Sequence, residues 1–348
     1  MKKLQPTEYM YASARLRAME HRLVGRERLE ILIEARSSDE VMDRLAEYGI
    51  APEEAAADVA AETTARPLGE ARSAAREAML LAVLREAYTE VETSVPEPAV
   101  FRYFRYPYDC HNLKAAIKCD VRGISAADIL FDFGTVPAAD VETLLREGKL
   151  DAFPPSMAAA VPAAKEAYDK TGDPRRIDTV LDRACYEDML SAATAAGDEV
   201  LLGWLKAKID LVNILVCLRI LRMAMGKPGR AFLEEALLPG GTLNADFFTS
   251  LYDGGEAYLW EEISRTPYAA LTHVEGEMRS LSAVERAADD VYMTLVRKDA
   301  RTPFGAAVAG GYLVGCETAV KNIRILLAAK DAGLSSEIIR ERIRVSYV

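Results

Sequence analysis

Hydrophobic residues recur every three or four positions along most of this chain, which is the spacing of an amphipathic α-helix. Stretches with this spacing cover residues 7–36, 53–65, 69–92, 176–196, 198–225 and 279–298. Between Ile209 and Met223 the pattern is apolar on nearly every side, which predicts a helix buried in the centre of the fold. The pattern as a whole predicts an all-α protein.

Caps and breakers mark the predicted ends of these helices. Ser37 with Glu40, and Ser125 with Asp128, have the spacing of capping boxes, so each pair predicts a helix start. Gly333 occupies the position of a glycine that ends a helix. Three prolines are predicted to mark a boundary in the middle of the chain: Pro154, Pro155 and Pro162.

The segment Phe101 to Tyr108 alternates aromatic and basic residues and contains Pro107. Proline disfavours helical conformation in the residue before it, so we predict an extended connector here. Interleaved aromatic and basic residues can stack on single-stranded nucleic acid. The segment is short and the chain is acidic, so nucleic acid is not an expected partner.

A short motif occurs three times, namely an asparagine followed directly by Leu or Ile and then, four residues after that Leu or Ile, by Ile or Leu again. Its asparagines are Asn112, Asn213 and Asn322, which lie 101 and 109 residues apart. This period is too long for a solenoid repeat and suits three similar small domains. An asparagine on an apolar helix must satisfy its carboxamide, so we predict that all three fix helix register within their domains.

A second motif supports the repeat, since Ala139 to Gly148 resembles Ala245 to Gly254 at an offset of 106 residues. We therefore predict three helical domains, with the N- and C-terminal segments packed together. Their predicted ranges are 1–122, 123–230 and 231–348.

Composition agrees with a helical fold, because 50% of the 348 residues are hydrophobic and only 7% are aromatic. The most apolar run, Leu211 to Leu218, has eight residues, far short of the ~18 needed for a membrane span. No signal peptide is visible at the start of the chain. The five cysteines form no C-x-x-C pair, which predicts reduced, buried thiols in a cytosolic protein.

The net charge of −11 is unevenly distributed. Residues 1–36 and 319–348 each carry +3, so the remainder carries −17. We hypothesise that the basic ends and the acidic middle form separate faces for separate partners. The partner-interface candidates are Arg340, Arg342 and Arg344.

The chain shows no recognisable catalytic, cofactor-binding or metal-binding motif. Gly305 to Gly310 begins like a P-loop but continues with Gly311 and Tyr312 where Lys and Ser or Thr are required. His21, His111 and His273 have no zinc-site spacing, and no G-x-S-x-G occurs. Two carboxylate pairs are predicted to lie on solvated helix faces: Glu261 with Glu262, and Asp289 with Asp290.

Several segments together resemble the C-subunit family of bacterial and archaeal V/A-type rotary ATPases, whose eukaryotic V-ATPase counterpart is called the d subunit. They are Tyr9-Met-Tyr-Ala-Ser-Ala-Arg-Leu-Arg-Ala18, Leu29-Glu-Ile-Leu-Ile-Glu-Ala-Arg-Ser-Ser-Asp-Glu40, Tyr106-Pro-Tyr-Asp-Cys-His-Asn-Leu-Lys114, Val320-Lys-Asn-Ile-Arg-Ile-Leu326 and Gly333-Leu-Ser-Ser-Glu-Ile-Ile-Arg-Glu-Arg342. They span both ends and the middle of the chain. The repeat around Asn213 departs most in polarity.

The resemblance implies a non-catalytic subunit with three similar helical domains arranged about a pseudo-threefold axis like a funnel. It implies a place on the cytoplasmic face of the membrane, on top of the ring of proteolipid rotor subunits. The central-stalk subunits D and F would plug into its cavity, and rotation coupled to proton or sodium transport would pass through it. It implies no cofactor, no nucleic acid and no small-molecule substrate.

Two other functions are compatible with the residues alone. The first is a free-standing helical-repeat scaffold that binds soluble proteins. The second is an enzyme with a dispersed carboxylate site, which a ligand screen by thermal shift would detect.

Overall fold

The computed structural model describes residues 5–50, 68–223, 229–274 and 280–348. Within these ranges every regular element is helical and no strand occurs, so the predicted all-α class is confirmed. The helix predicted at residues 53–65 lies outside the described residues. The α-helices are α1 (Met10–Glu20), α2 (Arg26–Ile33), α3 (Ser38–Glu47), α4 (Leu68–Ser94), α5 (Tyr106–Arg122), α6 (Ala138–Glu147), α7 (Pro155–Thr171), α8 (Arg175–Ala196), α9 (Glu199–Met223), α10 (Arg230–Ala236), α11 (Ala245–Ile263), α12 (Leu281–Asp299), α13 (Ala306–Asp331) and α14 (Ser336–Arg340). Short 3₁₀ helices occupy Pro6–Tyr9, Pro98–Arg105, Ala127–Ile129, Leu150–Ala152 and Ala269–His273.

The first of two compact units is formed by Ala99–His273 and holds α5 to α11. Its helices α7 and α8 pack along each other and are joined by a tight turn at Gly172, whose φ of 65° suits glycine. Helix α9 was predicted to be central, and many of its residues are buried, including Trp204 and Ile214. Gly255, with a φ of 81°, kinks α11.

The second unit combines Leu4–Pro98 with Val274–Val348, so segments from both ends of the chain lie together in it. Helix α13 is its core, and every residue from Ala306 to Cys316 is buried. A Cβ at Gly315 would lie 2.8 Å from the ring of Tyr347, so a glycine lets the C-terminal segment pack against this helix. The division into three domains stays a prediction, as do the funnel shape and the pseudo-threefold axis.

The predicted extended connector from Phe101 to Tyr108 is wrong. Pro98–Arg105 is a 3₁₀ helix that leads directly into α5, and Pro107 lies in the first turn of that helix. A proline is tolerated there because the first amides of a helix have no intrahelical acceptor to bond. Four apolar side chains of the segment are buried, so it packs as core: Val100, Phe101, Tyr103 and Phe104.

Two further boundary predictions fail and one succeeds. Ser37 caps α3 by accepting the Glu40 N–H at 3.2 Å, as predicted, although the Glu40 carboxylate accepts from the Arg36 N–H at 2.8 Å. Ser125 does not open an α-helix, because only the single 3₁₀ turn Ala127–Ile129 follows it. Pro162 lies inside α7, so the boundary is confined to Pro154 and Pro155.

All five cysteines are free and buried, as the odd number and absence of paired spacing predict. Burial raises the pKa of Cys217 to about 12, and it raises that of Cys316 to about 12. These two thiols therefore stay protonated at neutral pH and behave as small apolar core groups.

Candidate functional site

Each asparagine of the repeated motif bonds both backbone groups of one downstream residue. Asn112 donates from Nδ2 to the carbonyl oxygen of Phe131 at 2.8 Å, and its Oδ1 accepts the N–H of Phe131 at 2.8 Å. We call this arrangement an asparagine clamp. The same clamp joins Asn213 to Leu238 (2.9 and 2.8 Å) and Asn322 to Arg344 (2.9 and 2.9 Å).

The clamped residue follows its asparagine by 19, 25 and 22 positions in the three repeats. Each clamp therefore ties the chain that leaves one helix back onto that helix. All three side chains are buried, at most 2% exposed, so water cannot replace these bonds cheaply. The carboxamides bond the protein's own backbone, and their role in fixing helix register stays a prediction.

An aspartate one turn before the asparagine holds a second piece of backbone in the first repeat. Asp109 accepts the Thr135 N–H at 2.8 Å, the Thr135 hydroxyl at 2.8 Å and the Val136 N–H at 3.1 Å. Burial raises the pKa of Asp109, and the hydrogen bonds from Thr135 and Val136 act against that rise.

The second repeat has the same arrangement with one more donor. Asp210 accepts the N–H and the hydroxyl of Thr242, the former at 3.1 Å, and the N–H of Leu243 at 3.0 Å. The Tyr268 hydroxyl donates to the same carboxylate at 2.7 Å. Burial, followed by the bond to Asp210, raises the pKa of Tyr268, so this hydroxyl remains a donor at neutral pH.

A glycine precedes the threonine in both repeats because the aspartate lies against its backbone. A Cβ at Gly134 would collide with Oδ1 of Asp109, and a Cβ at Gly241 would collide with Oδ1 of Asp210. The sequence carries this signal as D-x-x-N followed by G-T, a pairing that the two repeated motifs identified above do not include. The G-T pairs lie 107 residues apart, and so do the first residues of α6 and α11.

The third repeat lacks the aspartate, since Ala319 stands three residues before Asn322. Asp290 from α12 instead accepts the N–H of Val345, the residue after the clamped Arg344, at 2.7 Å. A different helix thus holds the chain next to the clamp. The three clamps are alike, whereas the aspartate support is shared by the first two.

The arginines proposed as partner contacts differ in what they touch within the second unit. Arg340 bonds Glu30 at 2.9 Å and also Glu34. Arg344 bonds Asp289 at 3.0 Å. Arg342 is exposed, and its side chain has no ion-pair partner among the residues that the structure describes. Of the three, Arg342 has the guanidinium most available to another molecule.

The two carboxylate pairs also differ in what their side chains contact. Glu261 and Glu262 pair with Arg265 on the surface of α11, as predicted for a solvated face. Asp289 and Asp290 do not lie on a solvated face, since they hold Arg344 and the Val345 N–H. This prediction was wrong because the C-terminal segment covers that side of α12.

Known catalytic arrangements are not evident in the described ranges. No group of three or more His, Cys, Asp or Glu side chains there could hold a metal ion. The P-loop-like glycines lie at the start of α13, where Gly305 is the N-cap. His111 contacts the carbonyl oxygen of Ile129 at 3.1 Å.

A helix that spans a lipid bilayer needs about 20 consecutive, mostly apolar residues. None among the described residues is both long enough and apolar enough to span a membrane.

Comparison with known proteins gives consistent matches along the chain. The protein is 26% identical to the C subunit of the A-type ATP synthase of Thermococcus gammatolerans, over 96% of this chain and 89% of that protein. It is 22% identical to the C subunit of the V-type sodium ATPase of Enterococcus hirae, over 74% of this chain and 78% of that protein. It is 26% identical to the C subunit of the V-type ATP synthase of Thermus thermophilus, over 68% of this chain and 71% of that protein.

The family model described as ATP synthase (C/AC39) subunit matches residues 12–342. That range includes all three asparagine clamp donors and nearly every described helix. Because the match spans almost the whole chain, this protein belongs to the ATP synthase (C/AC39) subunit family.

Proposed function

We propose that this protein is the non-catalytic rotor adaptor of a V/A-type rotary ATPase, a socket that joins the central stalk to the proteolipid ring. Its partners are stalk subunits D and F on one side and the membrane ring on the other. It lies on the cytoplasmic face of the membrane as a peripheral subunit. The match of the subunit family to residues 12–342 carries this proposal.

The architecture suits an element that carries torque. Among the helices of the described ranges, three have 25 residues or more, namely α4 with 27, α9 with 25 and α13 with 26. Buried side chains tie the loops to these helices at the clamps of Asn213 and Asn322. A loop fixed by buried hydrogen bonds yields less under load than one held by surface contacts alone. Stable subunit contacts of this kind typically bury ~2,000 Å² or more.

The proposal is tested by mixing the purified chain with a purified D–F pair and following the mixture by size-exclusion chromatography with light scattering. We expect one complex with one copy of each subunit. If no complex forms with D–F alone, detergent-solubilised proteolipid ring is added. No association even then would contradict the adaptor role and favour a free-standing scaffold for soluble proteins.

Arg342 provides a test of the charged-face hypothesis. The variant Arg342→Glu is expected to weaken binding to the D–F pair by roughly threefold to tenfold, because it replaces an exposed cation by an anion. The salt dependence of the affinity should fall in parallel. Titration by calorimetry at two salt concentrations measures both quantities.

Two matched variants separate a lost contact from a lost fold. Arg301→Glu makes the same charge change at another exposed arginine of the second unit, and it should leave the affinity unchanged. Arg340→Glu breaks the contacts with Glu30 and Glu34, so its effect should appear in the unfolding of the free chain. An unchanged affinity and salt slope for Arg342→Glu would remove Arg342 from the interface.

A further inference from the structure

The second unit contains an open cavity of about 370 Å³, separate from the asparagine side chains of the clamps. Its walls come from α2, from α12, from the last residue of α14 and from the C-terminal segment that follows it. The lining is rich in arginine, with guanidinium groups from five positions: Arg26, Arg286, Arg297, Arg340 and Arg344. Ligand pockets in proteins typically have volumes of ~300–1,000 Å³, so this cavity has the size of a small-molecule site.

The acidic residues around the cavity neutralise only part of this charge. Two side-chain carboxylates lie in the lining, Glu30 and Asp290, together with the C-terminal carboxylate of Val348. Arg340 forms an ion pair with Glu30 at 2.9 Å. Asp290 accepts the Val345 N–H at 2.7 Å, and its carboxylate lies 3.7 Å from the Arg286 guanidinium. Both side-chain carboxylates are therefore already engaged.

Two more carboxylates, outside the lining residues, also form ion pairs with the cations of this region. Glu34 pairs with Arg340. Asp289 lies 3.0 Å from Arg344 and also 2.5 Å from Lys321, so it is shared between two cations. Six cationic side chains thus face four side-chain carboxylates and the C-terminal carboxylate of Val348, which leaves a formal excess of one positive charge.

The side chains of Arg26 and Arg297 have no ion-pair partner in the described ranges, although the Arg26 N–H donates to the Val348 oxygen at 3.3 Å. A third guanidinium is only partly satisfied, since Nε of Arg286 is buried and has no hydrogen-bond partner among the described residues. Since that Nε is closed to solvent, a ligand in the cavity would meet the terminal guanidinium nitrogens of Arg286 instead. An oxyanion supplies acceptors of the right charge.

We propose that this cavity is a binding site for a small anion of the phosphoryl class, such as phosphate or pyrophosphate. Guanidinium groups present two parallel N–H donors that match the oxygens of phosphate, and such charge-assisted pairs are among the stronger hydrogen bonds in proteins. Arg26, Arg286 and Arg297 supply donors toward the ligand, while Arg340 and Arg344 hold the walls in place. The cavity is lined by five arginines and is far smaller than a subunit interface, so it suits a small anion better than a protein segment.

Isothermal titration calorimetry of the full-length chain tests this proposal, with pyrophosphate and inorganic phosphate as probes and ionic strength held constant with sodium chloride. We expect saturable binding, with pyrophosphate tighter than phosphate because it carries more charge and more acceptor oxygens. Succinate serves as the carboxylate probe and should bind more weakly than either. Lack of pyrophosphate binding at ~10 mM, a concentration far above millimolar affinity, would overturn the site.

Variants then assign the binding to this cavity. Arg26→Gln and Arg297→Gln should each weaken pyrophosphate binding roughly tenfold, the loss of one strong charge-assisted contact. Arg301→Gln removes the same charge from an exposed position outside the lining and should bind pyrophosphate like the unmodified chain. Circular dichroism confirms that each variant is folded before titration.

The possible outcomes separate a specific site from a general charge effect. Equal weakening by all three variants would indicate a general electrostatic effect and reject the site. Succinate binding as tightly as pyrophosphate would reject the phosphoryl class. The assay uses the isolated chain, so its result does not depend on whether the adaptor role is correct.

Discussion

The variant Asp210→Ala is expected to lose about 3–5 kcal/mol of unfolding free energy. The carboxylate is fully buried and accepts four donors, two from Thr242 and one each from Leu243 and Tyr268. Alanine leaves all four without their acceptor, and each buried donor left unpaired costs about 1–3 kcal/mol. The total loss of unfolding free energy is smaller than the sum of these four costs, because the loop can relax and expose its donors to water.

Tryptophan fluorescence during urea unfolding is the measurement of choice for this variant. The chain has two tryptophans, Trp204 and Trp260, and both lie in the unit that contains Asp210. The midpoint followed by fluorescence should therefore shift strongly toward lower urea.

Two further aspartate variants serve as comparisons, one at an exposed aspartate and one at the equivalent aspartate of the first repeat. Asp246 is exposed in the first turn of α11, and Asp246→Ala should change the unfolding free energy by less than about 0.5 kcal/mol. Asp109→Ala removes three bonds in the first repeat and should be destabilising, but less so than Asp210→Ala. A loss for Asp210→Ala below about 1 kcal/mol, the size of one ordinary hydrogen bond, would show that the carboxylate does not organise this loop.

The variant Asn213→Leu is expected to cost about 2–4 kcal/mol. Leucine has the same branching at Cγ as asparagine but no polar group, so the N–H and carbonyl of Leu238 lose both of their partners. Leu238 is 6% exposed, which leaves little access for replacement by water. The same fluorescence-detected urea titration measures the loss.

Comparison with other asparagines separates the clamp from a general cost of replacing asparagine. Asn244 caps α11 at the surface with one bond to the Phe247 N–H at 2.9 Å, so Asn244→Ala should cost about 1 kcal/mol. Asn322→Leu breaks the clamp of the second unit, which contains neither tryptophan. Its effect should appear in circular dichroism with a smaller change in fluorescence. If Asn213→Leu unfolded at the same urea concentration as the unmodified chain, the predicted register lock would be wrong.

These stability predictions are relevant to the proposed role because the clamps hold the loops rigidly against the helices. An adaptor that transmits rotation must keep its loops fixed relative to its helices while force passes between partners. The clamps of Asn112, Asn213 and Asn322 fix loops by backbone hydrogen bonds. Variants that fold but lack a clamp would therefore be informative in a complex-assembly assay with the D–F pair.

The sequence by itself determined the helical class and most helix boundaries of this protein. Helical periodicity is a local property, and the glycines at 172, 197 and 333 end helices because they adopt positive φ with no Cβ to clash. The sequence also identified the three asparagines, since a carboxamide on an apolar helix stands out against its neighbours. The resemblance to the C-subunit family depended on short segments in order and was confirmed by the family match.

Only the tertiary structure decided what those side chains hold. The chain after Ser125 could not be predicted as non-helical, because its path is set by Asn112 bonding Phe131 from 19 residues away. The burial of Phe101, Tyr103 and Phe104 also depends on tertiary packing. The bonds of Asp289 and Asp290 to the C-terminal segment are likewise contacts between residues distant in sequence. Periodicity reports which face of a helix is apolar, whereas the partner of a polar group depends on which backbone the fold brings within hydrogen-bonding distance.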